Sequence, residues 1–392
     1  MPDRTPSQLA ALERSNDLHD QVLTDPQRFR VLTGDRPTGP LHIGHYLGTL
    51  ANRVRLQDLG VEVIVLIADY QVMTDQQAGH QLVETVRGVV ADYLAAGIDP
   101  HRTTIFTHSA VPALNELVLP FLSLVSDAEL HRNPTVKAET EATGLPPTGL
   151  MLTYPVHQAA DILFCQANLV PVGLDQLPHL ETTRLIARRF NERYGNQQQV
   201  FPEPNALLTD TPMLAGLDGQ KMSKTRGNGI ALRATEDETA ALIRRAPTDS
   251  ERHISYDPLT RPAVANLLDL LAATTGEDPH RLADNIGDGG AGRLKQTLTE
   301  AVNELLRPLR QRRAALAEDH SYIDEVLDNG NDRARQIADR TLTAVHNLLG
   351  MTYANRAAPQ TSRNRRAGGG IEPSHRSHHG LTGPERRALP PT

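Results

Sequence analysis

The chain has 392 residues, of which 39% are hydrophobic and 22% charged, enough for a main domain with a sizeable core and a second unit. Its single cysteine, Cys165, excludes an intrachain disulfide and any multi-cysteine zinc or iron–sulfur site. The net charge of −7 argues against a protein that coats nucleic acid, and no apolar run is long enough to span a membrane.

Residues 1–28 read as a polar leader with a helix through Ser7–Val22. Their charged character is not that of a secretory signal, so the expected location is cytoplasmic. Residues 30–33 form a short strand ending at Gly34, and Pro37 and Gly39 shape a turn after it. Leu41 to Gln57 reads as a helix. Val61 to Ala68 is almost continuously apolar and rich in Val and Ile, the pattern of a buried parallel strand. It runs into Asp69, at the carboxyl end where α/β sites gather. A helix over Gln81–Ala96 and a strand near Thr103–Thr107 follow. Asn168 to Gly173 is a further apolar strand, opening into Leu174-Asp175-Gln176 and a helix through Arg193. This alternation predicts an α/β fold with a doubly wound parallel sheet, a Rossmann-like catalytic domain.

After Lys224 the pattern changes. Thr235 with Glu238 is a capping box, and three or four more helices run to about Met351 without strands, forming a C-terminal α-helical domain. The expected division is a leader at 1–28, a catalytic domain at 29–233, a helical domain at 234–353 and a disordered tail at 354–392. Residues 356–392 carry seven Arg and two Glu, a local +5 that leaves −12 for the rest. Nucleic acid would therefore be met at local basic patches. Arg307, Arg310, Arg312 and Arg313 read equally well as contacts to a tRNA backbone or as a solvated helix face.

Two short segments carry the chemistry. His42-Ile43-Gly44-His45 opens a helix after a strand and a glycine-containing turn, where backbone N–H groups and the helix dipole favour an anion. The histidines are three apart, on one face of the first helical turn, so both imidazoles can reach the phosphates of one nucleotide. Gly44 has no side chain to keep an adenine or ribose from the backbone. The plainer alternative is two surface histidines. Lys221-Met222-Ser223-Lys224-Thr225 places two ammonium groups around a small hydroxyl residue, with Gly216, Gly219, Gly227 and Gly229 expected to make the segment mobile. Such an arm can close on a pyrophosphate leaving group. Its alternative is a solvated loop.

Together, in this order on an α/β pattern, the segments resemble the signature sequences of the class I aminoacyl-tRNA synthetases. The likeness covers about residues 30–350. Thr33-Gly34-Asp35-Arg36-Pro37-Thr38-Gly39 is similar to the opening turn of the tryptophanyl and tyrosyl members. Leu152-Thr153-Tyr154-Pro155 and Gln158-Ala159-Ala160-Asp161-Ile162-Leu163 are similar to the tryptophan-pocket helix, and Val170 to Gln176 to the ribose and amino-acid turn. Pro247-Thr248-Asp249-Ser250 resembles the opening of the family's helical domain. The tryptophanyl members are the closer match.

The resemblance implies ATP and Mg²⁺ as cofactors, L-tryptophan and tRNA(Trp) as partners, and a homodimer. It implies that His42 and His45 contact phosphates and that Gly44 admits adenosine. Lys137 would reach the phosphate tail with Mg²⁺, and Asp175 would bind ribose. Gly34, Arg36, Thr38, Gly173, Met222 and Ser223 would complete the ATP site. Lys221 and Lys224 would stabilise pyrophosphate departure. Tyr154 and Gln176 would hold the α-amino group, Asp161 would accept the indole N–H, and Gln71 and Gln158 would line the amino-acid pocket. A buried acceptor such as Asp161 penalises a ligand that leaves it unpaired. Its alternative is a helix carboxylate paired with a nearby Arg. Arg36, Gln71 and Gln158 stand where common bacterial tryptophanyl enzymes carry Gln, His and Met, a pattern more similar to the auxiliary second-type forms. A tyrosyl enzyme and a catalytically silent tryptophan- or RNA-binding paralogue are the rival readings.

Overall fold

The computed structural model describes residues 6–74, 81–143, 146–208, 214–222, 226–316 and 319–353. In chain order, α1 (Pro6–Thr24) precedes β1 (Arg30–Asp35). A single turn, α2 (Ile43–His45), passes through a π-helical stretch at Tyr46–Leu50 into α3 (Ala51–Leu59). Then come β2 (Glu62–Ile67), α4 (Leu82–Ala96) and β3 (Thr104–Thr107). Five helices follow: α5 (Pro112–Glu116), α6 (Val118–Leu122), α7 (Asp127–Arg132), α8 (Pro134–Thr143) and α9 (Gly149–Leu163). Next are β4 (Leu169–Val172), α10 (Leu177–Tyr194) and β5 (Asn205–Leu208). The remaining elements are helical: α11 (Glu236–Arg245), α12 (Pro262–Thr275), α13 (Pro279–Ile286), α14 (Gly290–Leu316) and α15 (His320–Leu348).

The five strands form one parallel sheet in the order β3-β2-β1-β4-β5. From β1 the chain winds outward through β2 to β3, then returns to lay β4 on the other side of β1. The crevice between β1 and β4 is therefore the topological switch point, where ligands of such sheets bind at the carboxyl ends of the strands. Val63 to Ile67 of β2 are all buried, as the unbroken apolar run predicted. Gly34 is still in β1, paired with Leu66; a Cβ there would lie 2.4 Å from the Leu66 carbonyl oxygen. Its need is close strand packing, and the turn falls to Gly39, whose φ is 146°.

The expected single helix over Leu41–Gln57 is divided by the π-helical stretch. β5 was too short and too weakly patterned to be expected. It is held by α1: the Leu208 N–H donates to Ser15 Oγ at 2.8 Å, and Ala11, Leu18 and Val22 are buried.

The helical region packs onto the α/β part, and the described residues up to Met351 belong to one compact unit. Three of the four arginines considered above are spent on this packing. Arg310 donates to Thr239 Oγ1 at 2.7 Å, Arg312 to the Ala95 carbonyl at 2.6 Å and Arg313 to Asp92 Oδ1 at 2.6 Å. Arg307, paired with Glu304, is exposed, as is Arg312 despite its bond to Ala95. α15 lies across β3, where Asn331 Oδ1 accepts the Thr107 N–H at 3.0 Å. Asp249, in the segment resembling the opening of the helical domain, takes two bonds from Arg261 at 2.6 and 2.8 Å. Among the described residues, no helix is long and apolar enough to cross a membrane. The tail expected to be disordered, 354–392, lies outside them.

Candidate active site

β1 ends in Asp35, whose carboxylate accepts from Arg53 Nη1 and from the Tyr93 hydroxyl, both at 2.6 Å. Burial by itself would raise the Asp35 carboxyl, but the Arg53 charge and hydrogen bond, with His45 and Tyr93, outweigh it and hold the group well below the usual carboxylate range. A fixed ion pair thus anchors the strand end from which the next segment departs. Arg36 and Thr38 follow it and are exposed.

His42 caps α2 from an extended conformation, φ −122° and ψ 170°. Its backbone N–H donates to His45 Nδ1 at 3.2 Å, and the two ring centroids are 3.7 Å apart. The three-residue spacing does bring the imidazoles together, through a capping box rather than two positions within a helix. The Leu41 N–H is held by Asp92 Oδ2 at 3.3 Å, the same carboxylate that Arg313 engages.

The two signature segments meet. The Ile43 N–H donates to Ile230 O at 2.8 Å and the Leu232 N–H to Leu41 O at 2.9 Å, with His42 bridging Ala231. Met222 fits between them. A Cβ on Gly44 would lie 2.9 Å from Met222 Sδ; one on Gly229 would lie 2.9 Å from Met222 Cγ and 3.2 Å from His42 Cβ. The space beside Gly44 is thus filled by the thioether of the second segment. The base of that segment is a hairpin: Ala215 bridges Lys221, and Asn228 Nδ2 donates to Asp218 Oδ1 at 2.8 Å and to Lys221 O at 3.2 Å. Lys221 is exposed. Ser223 and Lys224, and the mobility expected of them, lie outside the described residues.

At the ends of β2 and β3 a second cluster forms. Asp69 accepts the backbone N–H groups of Tyr70 and Ser109, each at 3.1 Å, and the Ser109 hydroxyl. His108, fully buried, places Nε2 2.7 Å from Asp161 Oδ1 on α9. His157, one turn before Asp161, stacks on His108 with ring centroids 4.5 Å apart. Asn115 Nδ2 donates to the His108 and Val111 carbonyls, which turns its Oδ1 toward His157 Nε2 at 2.9 Å. Burial opposes a charge on His108, but Asp161, through its charge and hydrogen bond, and Asp69 outweigh it and raise the imidazole above its ordinary value. His157 is lowered, chiefly by burial. His108, His157 and Asp161 have ligand atoms within 4.8 Å of one another, a spacing that could suit a metal ion. A cation would, however, have to replace the direct His108–Asp161 bond and compete with Asn115 for His157. The cluster is therefore read as hydrogen-bonded. Asp161 is buried as expected, but its partner is a histidine, not an arginine.

The other candidates are distributed as follows. The Tyr154 hydroxyl, half-buried on α9, meets His179 Nε2 of α10 at 2.5 Å. Gly173 and the turn Leu174–Gln176 follow β4 at the same edge of the sheet; Gln176 is exposed, and the Asp175 side chain is outside the described set. Gln71, after β2, and Gln158, on α9, are half-buried. Lys137 is exposed on α8, and no hydrogen bond or ion pair among the described residues joins it to the histidines. Sequence reasoning missed His108, His157, Arg53, Tyr93 and Asp92. His157 was readable in principle, because it lies four residues before Asp161 on one helix face. His108 follows a parallel strand, as Asp69 does. The others depend on tertiary contacts alone.

Residues 24–307 match the family model described as tRNA synthetases class I (W and Y). The chain is 41% identical over 341 residues to a tryptophan–tRNA ligase of Streptococcus pneumoniae, covering 83% of this chain and 98% of that protein. It is 42% identical over 333 residues to the one of Treponema pallidum, covering 83% and 97%. Among solved structures, the tryptophanyl-tRNA synthetase of Campylobacter jejuni complexed with ADP and tryptophan is similar with a TM-score of 0.71 and 31% identity, over 82% of this chain and 99% of that one. With the signature segments in contact at the switch point of a parallel sheet, and this likeness along most of its length, the chain belongs to the class I tRNA synthetases of the tryptophanyl and tyrosyl family.

Proposed function

We infer that this protein activates L-tryptophan with ATP and transfers it to tRNA(Trp). The observation that carries the reaction is the packing of the Met222 segment against His42 and Gly44 at the carboxyl edge of the sheet. The choice of tryptophan follows the relatives, tryptophan–tRNA ligases that the chain matches over nearly their whole length. A buried carboxylate, Asp161, in the helix that resembles the pocket wall agrees with it.

In the proposed mechanism the amino-acid carboxylate attacks the α-phosphorus of ATP in line. The phosphates lie at the N-terminus of α2, where His42 and His45 donate to them. Gly34, Arg36, Thr38, Gly44, Gly173, Met222 and Ser223 shape the nucleotide site, and Asp175 takes the ribose hydroxyls. Lys137 accompanies the phosphate tail. Lys221 and Lys224 meet the charge that develops on the leaving pyrophosphate. Tyr154 and Gln176 hold the α-amino group, Asp161 accepts the ring N–H, and Gln71 and Gln158 line the remaining wall. The terminal adenosine hydroxyl of tRNA then attacks the carbonyl of the tryptophanyl-adenylate, breaking its bond to phosphate and releasing AMP. Positioning and charge stabilisation suffice, and no protein nucleophile is needed. Mg²⁺ bound to the ATP phosphates would supply further neutralisation of their charge, with Lys137 beside it. We further propose a homodimer working in the cytoplasm, where tRNA is charged.

ATP–pyrophosphate exchange tests the reading. Exchange with tryptophan and not with tyrosine is expected. Exchange with tyrosine alone would move the protein to the tyrosyl branch, and exchange with neither would make it a silent paralogue.

A further inference from the structure

We propose that His108 is a positioning residue for substrate selection: it fixes the Asp161 carboxylate so that one oxygen is presented to the ring N–H of the amino acid. This rests on the tryptophan reading above and concerns the same pocket.

The geometry is specific. A carboxylate can only accept hydrogen bonds, so the 2.7 Å contact requires a proton on His108 Nε2. Among the described residues, every hydrogen bond to the Asp161 carboxylate falls on Oδ1; the further approach of His157 Nε2, at 3.9 Å, is to the same atom. Oδ2 is left as the acceptor for a ligand. The imidazole cannot swing away. His157 stacks on one side at 4.5 Å, the Tyr70 ring lies roughly parallel at 6.1 Å, and the preceding Thr107 N–H is tied to Asn331. Among the described residues, His108 Nδ1 is buried with no hydrogen-bond partner, so Nε2 carries the imidazole's hydrogen bonding.

Without His108, a carboxylate that is only 2% exposed would lose the one close donor it has among the described residues. It could then rotate, or become protonated and present an O–H where an acceptor is needed. Either change weakens recognition of a ring N–H while leaving the ATP segments untouched. His108 thus contributes to discrimination between ring donors and ring non-donors, not to the chemical step.

The experiment measures ATP–pyrophosphate exchange with tryptophan and with its benzothiophene analogue, in which sulfur replaces the ring N–H. Wild type, His108→Leu and His108→Gln are compared. A charge-assisted bond to a buried group corresponds to about 10- to 100-fold in an equilibrium constant. His108→Leu should therefore raise KM for tryptophan by at least about tenfold, with kcat changed less than about threefold, and reduce the preference for tryptophan over the analogue by a similar factor. His108→Gln keeps an N–H donor and should restore the preference. The ratio of the two substrates is read on one sample, so partial unfolding of a variant does not imitate the effect. An unchanged preference in His108→Leu, or an equal loss for both amino acids, overturns the proposal while leaving the enzyme's function intact. Absence of tryptophan exchange in the wild type would instead overturn the functional reading itself.

Discussion

Replacing Arg313 by Met should destabilise the protein and also disturb ATP binding, although Arg313 lies on a helix far along the chain from the signature histidines. Its Nε donates to Asp92 Oδ1 at 2.6 Å, and the two side chains are only 17% and 1% exposed. The other oxygen of Asp92 holds the Leu41 N–H at 3.3 Å, one residue before His42. Burial already pushes the Asp92 carboxyl upward, with Arg313 opposing it. Removing the guanidinium leaves a buried charge facing one amide, a situation that costs about 3–5 kcal/mol. Methionine keeps most of the stem packing, so the loss should fall near 3 kcal/mol, on the order of the charge term alone. Urea unfolding at constant m-value measures it. The Asp92→Asn/Arg313→Met double variant should lose less than the sum of the singles by about 1.5–3 kcal/mol, the worth of a charged hydrogen bond. In exchange assays, Arg313→Met should raise KM for ATP more than KM for tryptophan. A loss under about 1 kcal/mol in Arg313→Met, or singles that add within about 0.5 kcal/mol, would refute the coupling.

Three other outcomes follow from the packing. Gly330→Ala gains about 1 kcal/mol in helix propensity, but its Cβ would sit 1.8 Å from the Ile105 carbonyl oxygen. Backbone cannot yield by changing rotamer, so a net loss of about 2 kcal/mol in urea unfolding is expected, and an unchanged midpoint would show that α15 slides freely on β3. Arg53→Met should cost about 3–5 kcal/mol at pH 7 by leaving the largely buried Asp35 charge without its cation. The depressed Asp35 carboxyl contributes stability that is present above its unfolded value near 4 and lost as pH falls below it, so the gap between wild type and variant should narrow under about pH 4. A gap independent of pH would place the effect elsewhere. Gly229→Ala should leave the melting temperature close to wild type, because flexible Met222 can move, yet lower kcat/KM for exchange by about 10- to 100-fold through misplacement of the second signature segment. Full activity would mean that Met222 does not register the two segments.

Much of this site was legible because its local requirements are local in sequence. The apolar run of β2 had to be a buried parallel strand, and the residues just past it had to lie at the carboxyl edge. His42 and His45 are three apart, a spacing that lets the capping box of α2 bring their rings together. Asp161 on an Ala-Ala-Asp-Ile-Leu stretch was expected to be a buried acceptor, and it is buried. Other features resisted reading. β5 has four residues and gains its place only from α1 and β4, and α5, α6 and α7 are only five or six residues long, too short for a helical period to show.

The order of residues along the chain determined the α/β alternation, the two signature segments and the class of reaction, because periodicity and short motifs are encoded within one or two turns of chain. Only the tertiary structure decided which partners those residues take. It tied three arginines read as candidate tRNA contacts to Thr239, Ala95 and Asp92. It gave Gly34 to a neighbouring strand and Gly44 to Met222, and it gave Asp161 a histidine from the end of β3. Buried polar groups must find hydrogen-bond partners, and which ones come within reach is set by strand order and helix packing across tens to hundreds of residues, a distance over which spacing in sequence carries no information.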